Sequence, residues 1–170
     1  IAMGGAQTAA GTGMSGVPYN PANIAFLQGS STYYSKTSYL LGISHNVLAY
    51  GSNISPNNFI GFHLFYLDSG PMEVTTEQFP DGTGEDFSVM GLALRGTYAR
   101  VMTDRLKIGV SIKYVREQIH TTRMQTFALD VGSNFDTGIY GFHLGMSVSN
   151  FGPEVQFAGE GLEVTVGDEV

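Results

Sequence analysis

The sequence predicts an all-β fold, a transmembrane antiparallel β-barrel, on three observations. Long stretches alternate apolar and polar residues with a period of two, as strands with one apolar face do. Several of these stretches reach lengths of about 9–11 residues, which a tilted strand needs to cross a bilayer, whereas strands of soluble proteins average about 5–6. Their polar sides carry Gly, Ser, Asn and isolated charges instead of the dense Lys and Glu of a soluble surface.

The composition agrees. Of 170 residues, 23 are Gly, 11 Phe and 9 Tyr, and only 14% are charged. That mixture suits glycine-relieved, aromatic-bearing strands and is poor material for surface helices. Alternation alone shows only that one face is apolar, so a soluble antiparallel sandwich is the rival reading.

Residues 1–29 are small, Gly-rich and nearly uncharged. They predict an irregular or short-helical segment, plug-like, that packs against or across the barrel lumen. Residues 30–170 then form the barrel region, with six candidate strands at 39–50, 58–67, 88–100, 106–117, 126–136 and 139–149. Strand 106–117 sets Leu106, Ile108, Val110, Ile112 and Tyr114 against Lys107, Gly109, Ser111, Lys113, Val115 and Glu117. Segments 88–100, 126–136 and 139–149 repeat that division, while 39–50 and 58–67 have mixed parity. Aromatic residues near strand ends (Tyr98, Tyr114, Phe135, Tyr140) fit interfacial girdles.

Tight connections are expected at Ser52–Asn57, Thr103–Asp104 and Asp136–Gly138, an intermediate one at Ile119–Arg123, and long acidic loops at 68–86 and 150–170. Short turns at one end and long loops at the other are the habit of bacterial outer-membrane barrels. Six strands cannot close a barrel of at least about 8, so the sheet reads as a partial barrel. The chain opens on Ile1, which reads as processing or a fragment.

Charge excludes one class of function. The net charge is −7, and seven of the eight Lys and Arg fall between Arg95 and Arg123. Eleven of the fifteen acids crowd into 68–86 and 154–170, windows without a single base. Such a chain lacks the basic surface that nucleic acid requires. With no Cys, thiolate metal sites and a Cys nucleophile are excluded too. No catalytic set emerges around His45, His63, His120 and His143, and no cofactor is expected, so the reading is non-enzymatic.

Three groups of residues stand out as candidate sites. Arg95, Lys107, Lys113, Asp130 and Asp136 lie on polar strand faces, where charges must be paired or hydrated and could tune conduction. Asp68, Glu73, Glu77, Asp81, Glu85 and Asp86 form an acidic loop suited to docking a basic or polar partner. Within it, Asp81, Glu85 and Asp86 around Gly82 and Gly84 could offer oxygen ligands to Ca²⁺, although their spacing misses the EF-hand pattern.

A resemblance adds to this reading. AMGGAQTA with YNPANIAFL (Tyr19–Leu27), which contains Asn20, Pro21 and Ala22, resembles the N-terminal signature of FadL-like barrels and their PorV/PorQ relatives. EVTTEQFPDGTGEDFS (Glu73–Ser88) resembles an early loop of PorV/PorQ-like proteins, and YARVMTDRLKIGVSIKYVREQI (Tyr98–Ile119) their next hairpin. LGMSVSNFGPEVQFAGE (Leu144–Glu160) is similar to a later strand and loop. The resemblance implies a Gram-negative outer-membrane component of type IX secretion, with Asn20-Pro21-Ala22 in a plug. Its implied partners are the lipid bilayer, a very large translocon barrel and the C-terminal domains of exported cargo. The FadL-like side of the kinship implies instead a channel for small hydrophobic molecules.

Overall fold

The structure, a computed structural model, describes residues 6–159. The alternating stretches form strands: β1 (Ser30–Ser38), β2 (Ser44–Ser55), β3 (Asn58–Asp68), β6 (Val89–Val101), β7 (Leu106–Ile119), β8 (Thr122–Asp136) and β9 (His143–Phe151). These seven make one antiparallel sheet in the order β1-β2-β3-β6-β7-β8-β9. Two short strands, β4 (Met72–Glu73) and β5 (Asp86–Phe87), pair separately as a ribbon inside the long connection after β3. Each strand of the large sheet therefore hydrogen-bonds its neighbours in sequence, an up-and-down meander with no crossover. The fold is all-β. Among the described residues β1 and β9 are the two edges and do not pair with one another, so the sheet is not closed.

Several boundaries differ from the sequence expectation. The sheet has seven strands and not six, because β1 (SSTYYSKTS) is too rich in Ser and Thr to register as an apolar alternation. β2 starts at Ser44, since Leu40–Gly42 winds into a 3₁₀ turn with Gly42 at φ 80°. β9 starts at His143, because residues 137–142 are a turn in which the Thr137 and Phe142 backbones bond each other. The Ile119–Arg123 connection tightens to His120-Thr121, with His120 at φ 51°. That last correction weakens the inference from alternating connection lengths, since one connection at the long-loop end is itself short.

Register sorts the side chains onto two faces. In an antiparallel pair directly opposed residues share a face, so Tyr50, Phe62, Gly96, Ile112 and Leu129 form one row across five strands. Neighbouring rows on that face hold Leu48, Leu64, Leu94, Tyr114 and Phe127, then Ile60, Tyr98, Val110, Val131 and Val148. This apolar face is open. Ile112 is 62% exposed, Phe127 66% and Met146 69%. The opposite face carries most of the Gly, Ser, Thr and Asn residues together with Arg95, Lys107, Lys113, Glu117, Asp130 and Asp136, and its middle is covered; Lys36, Asp68, Arg100, Arg116 and Arg123 share the open face. Ser111 is 1% exposed, Lys113 6% and Asn134 1%. Burial is thus inverted relative to a water-soluble sheet, whose apolar face is the one packed away.

The cover is the N-terminal segment. Residues from Gln7 to Leu27 lie along the polar face through two 3₁₀ turns, Met14–Gly16 and Pro21–Phe26. Met14, Val17, Ile24 and Ala25 pack with Ala49, Phe59 and Ala99 to form the buried core. Phe59 belongs to this core, and Phe65 stacks near His63 on the same face. That is why β3 shows mixed parity: it has apolar residues on both sides.

Glycine makes the close approach possible. A Cβ on Gly109 would sit 2.5 Å from the Ala22 amide nitrogen, and one on Gly132 would strike the Asn20 side chain. Gly51, Gly61 and Gly145 face Met14, Ile24 and Ala9 in the same way. Each of β2, β3, β7, β8 and β9 thus contributes a glycine to one seat for the segment.

Candidate functional site

Three of the five charges expected on the polar face come together. Lys113 Nζ lies 2.7 Å from Asp130 Oδ1, and Arg95 Nη2 lies 3.5 Å from Asp130 Oδ2. Register explains the meeting: Arg95 and Lys113 are directly opposed on β6 and β7, and Asp130 faces Ser111, one step along from Lys113. Two cations side by side would repel. The carboxylate between them offsets that, and a break in the β8–β9 register turns Asn150 (φ 61°) so that its N–H donates to Asp130 Oδ1 at 2.8 Å. Asp130 is 2% exposed. The Asn150 side chain also accepts from Lys113 Nζ. Next along the face Thr97 and Ser111 hydroxyls bond each other at 2.8 Å.

Arg95 and His63 complete the row. They are opposed on β6 and β3, and the His63 Nε2–H donates to the Met14 carbonyl at 3.0 Å. Phe65 lies beside both, its ring 5.8 Å from that of His63 and 5.7 Å from the Arg95 guanidinium carbon. The other two charges stand apart, near the end of the sheet with the short turns. Lys107 Nζ sits 4.2 Å from the Phe26 ring centre, and Asp136 Oδ1 accepts from the Gly138 N–H at 2.8 Å. Lys107 anchors the segment and Asp136 holds a turn.

Asn20-Pro21-Ala22 is a latch between segment and sheet. Asn20 Oδ1 caps the second 3₁₀ turn by accepting from Ala22 N–H at 2.9 Å. Its Nδ2 donates to the Thr8 carbonyl at 2.8 Å and to the Ser133 carbonyl of β8 at 2.9 Å. Pro21 enters the turn at a position needing no N–H donor. Asn23, which the sequence did not single out, does the same work one turn later: its Nδ2 donates to Gly16 O at 3.1 Å and its Oδ1 accepts from Asn134 Nδ2 at 3.3 Å. A second Asn three residues after the first was the available signal.

The acidic stretch behaves differently. Asp68 ends β3, accepting from the Gly70 N–H at 2.9 Å, while Glu73 and Asp86 are opposed in the β4–β5 ribbon. Glu77, Asp81 and Glu85 are exposed. Among the described residues no three His, Asp or Glu side chains are gathered to hold a metal ion, so Asp81, Glu85 and Asp86 do not form the calcium cage the sequence suggested. Of the second acidic window, residues 160–170 lie outside the described residues.

Among the described residues no side chains are paired as nucleophile and base. His45 stacks on Phe65, and His120 lies edge-on to Phe87. Among the described residues no histidine hydrogen-bonds a serine or forms an ion pair with a carboxylate. Comparison with protein families and with curated proteins finds neither a family model nor a curated sequence that matches this chain.

Proposed function

We propose that the sheet is part of the wall of a β-barrel in the outer membrane, and that the protein is a non-enzymatic PorV/PorQ-like component of an export machine. The inverted burial carries the membrane part: the apolar face is bare while the face that holds Arg95, Lys113 and Asp130 is packed. On β7 the bare apolar run from Leu106 to Tyr114 covers nine residues, about 27 Å of strand. Tilted as barrel strands are, that spans about 20 Å, near the roughly 25 Å apolar band of such barrels. Tyr114 and Phe127, with ring centres 5.2 Å apart, stand at one margin of this run and Phe135, opposite Leu106, at the other. On this reading the covered face is the lumen side and the N-terminal segment its plug.

The export role rests on the resemblance over Glu73–Ser88 and Tyr98–Ile119. What supports it is an exposed acidic ribbon standing clear of the sheet, available for docking cargo or a larger barrel. A FadL-like channel for small hydrophobic molecules is the second reading, favoured by a cavity of about 220 Å³ between the segment and Tyr33, Val47, His63 and Phe65. Ligand sites usually occupy about 300–1,000 Å³, so the cavity is small for that task.

Val110→Lys, at the middle of the Leu106–Tyr114 run, tests the membrane part. A lysine facing hydrocarbon at mid-band destabilises a barrel by about 2–4 kcal/mol, while on a water-facing surface the change is close to neutral. Urea unfolding of the protein in lipid vesicles reads the difference. Partition of the wild-type protein into water without detergent would sink the membrane reading. Affinity capture from solubilised membranes tests the role: recovery of a giant barrel or cargo C-terminal domains supports export, and a monomer with co-purified hydrophobic ligand supports the channel.

A further inference from the structure

We infer that Arg116 and Arg123 form a binding patch for the phosphate groups of lipid headgroups, at the end of the apolar face beside the β7–β8 hairpin. The inference rests on the membrane reading above. Register places both residues on the open face: Arg116 opposes Gln125, and Gln118 opposes Arg123. The two arginines are therefore diagonal neighbours on adjacent strands, about 7–8 Å apart at the backbone. Long guanidinium arms at that spacing can close on one phosphate, which suits their planar, multi-donor heads.

Their level on the face identifies the ligand. Ascending β7 and β8, the opposed pairs run Ile112 with Leu129, Tyr114 with Phe127, Arg116 with Gln125, and Gln118 with Arg123. Hydrocarbon-compatible residues give way to an aromatic pair, then to cations and amides. This is the order of a bilayer margin, where aromatic rings sit at the interface and headgroup phosphates lie just beyond. The Tyr114 hydroxyl donates to Gln125 Oε1 at 3.2 Å, tying the aromatic layer to the polar one.

Charge on the same face is complementary to an anion. These four positions carry two positive charges and no carboxylate, and Glu117 points to the opposite face. Among the described residues neither arginine forms an ion pair; Arg116 has only a 3.4 Å contact from Nη2 to Gln118 Oε1. Among the described residues of the large sheet, the acid of this face at the same end, Asp68, lies three strands from Arg123 through Met90 and Gln118. Two neighbouring guanidinium groups repel until an anion bridges them. A headgroup phosphate arrives at that height in every bilayer.

Flotation with lipid vesicles tests the inference. The full chain is folded into vesicles of phosphatidylcholine alone, or of phosphatidylcholine with added phosphatidic acid, at low salt. The expected result is association with both, tighter with phosphatidic acid. The Arg116→Gln, Arg123→Gln double variant should lose about 5-fold of that preference per arginine, about 30-fold in all, and retain flotation with neutral vesicles. Arg100→Gln with Arg105→Gln, at the opposite end, removes the same charge and should keep most of the preference. Equal losses in the two double variants, or a wild-type protein indifferent to phosphatidic acid, would overturn the patch while the membrane reading stands. Failure of wild type to float with either vesicle would overturn both.

Discussion

Asp130→Asn is the most informative single change. Asp130 is 2% exposed and is held between Lys113 at 2.7 Å and Arg95 at 3.5 Å. Asparagine preserves the shape and can still accept from the Asn150 N–H, so the variant removes little but the charge. What remains is a pair of directly opposed cations, Arg95 and Lys113, both over nine-tenths buried. Removing one partner of a buried ion pair destabilises by about 3–5 kcal/mol, chiefly because the orphaned charge cannot regain water. The loss is expected here toward the upper end, since two cations are orphaned and they repel. Urea unfolding followed by far-UV circular dichroism measures it as a fall in midpoint at constant slope. Adding Lys113→Met should restore a substantial part, because it returns the cluster to its original net charge and leaves an apolar stem of similar length. Asp130→Asn within about 1 kcal/mol of wild type, with no recovery on adding Lys113→Met, would refute the claim that this carboxylate neutralises buried cations.

Three further outcomes are expected. Asn20→Ala strands the Thr8 and Ser133 carbonyls and the Ala22 N–H, and should destabilise by about 3 kcal/mol at roughly 1 kcal/mol per lost bond; an unchanged urea midpoint would contradict the latch. Gly109→Val drives a side chain into the Pro21–Ala22 backbone, so chymotrypsin should cut after Tyr19 or Phe26 faster than in wild type, with the sheet intact; equal cleavage rates would mean that the glycine seat does not hold the segment. Calorimetric titration of Ca²⁺ should give no binding heat, because Asp81, Glu85 and Asp86 are not gathered; a saturable isotherm lost in Asp81→Asn would show that the loop closes on the ion.

How far the sequence could be read depends on which force placed each element. β7 and β8 were legible along most of their length because each face has one chemistry, and alternation reports it directly. β3 was located but not oriented, since Phe59 and Phe65 answer to the N-terminal segment and not to the bare face. β1 escaped because an edge strand built of Ser, Thr and Tyr has no apolar rhythm to detect. The His120-Thr121 turn carries no glycine to announce its left-handed residue. At the charge cluster, parity put Arg95, Lys113 and Asp130 on one face, and that much is local information. Their convergence depends on the pairing register and on the displaced Asn150, which are properties of two strand pairs at once. Lys107 and Asp136 share the parity but sit too near the short-turn end to join.

The seat of the N-terminal segment also bears on the choice between the two functional readings. Opening a path along the polar face would require residues 7–27 to leave it. Moved as a unit, the segment would break the bonds of Asn20 to Ser133, Asn134 to Ala9 and His63 to Met14, each worth about 1 kcal/mol. It would also expose Met14, Val17 and Ile24, now 3% exposed or less, whose burial contributes roughly 1.5–3 kcal/mol each. Together these exceed the few kcal/mol that separate a resting state from a minor state populated at about 0.1–10%. Docking at the acidic ribbon demands no such movement, because β4 and β5 stand outside the large sheet and their carboxylates already face water. Of the two proposed readings, the energetics of the seat therefore favour the one that works through the loops with the polar face closed over the one that needs a path along it.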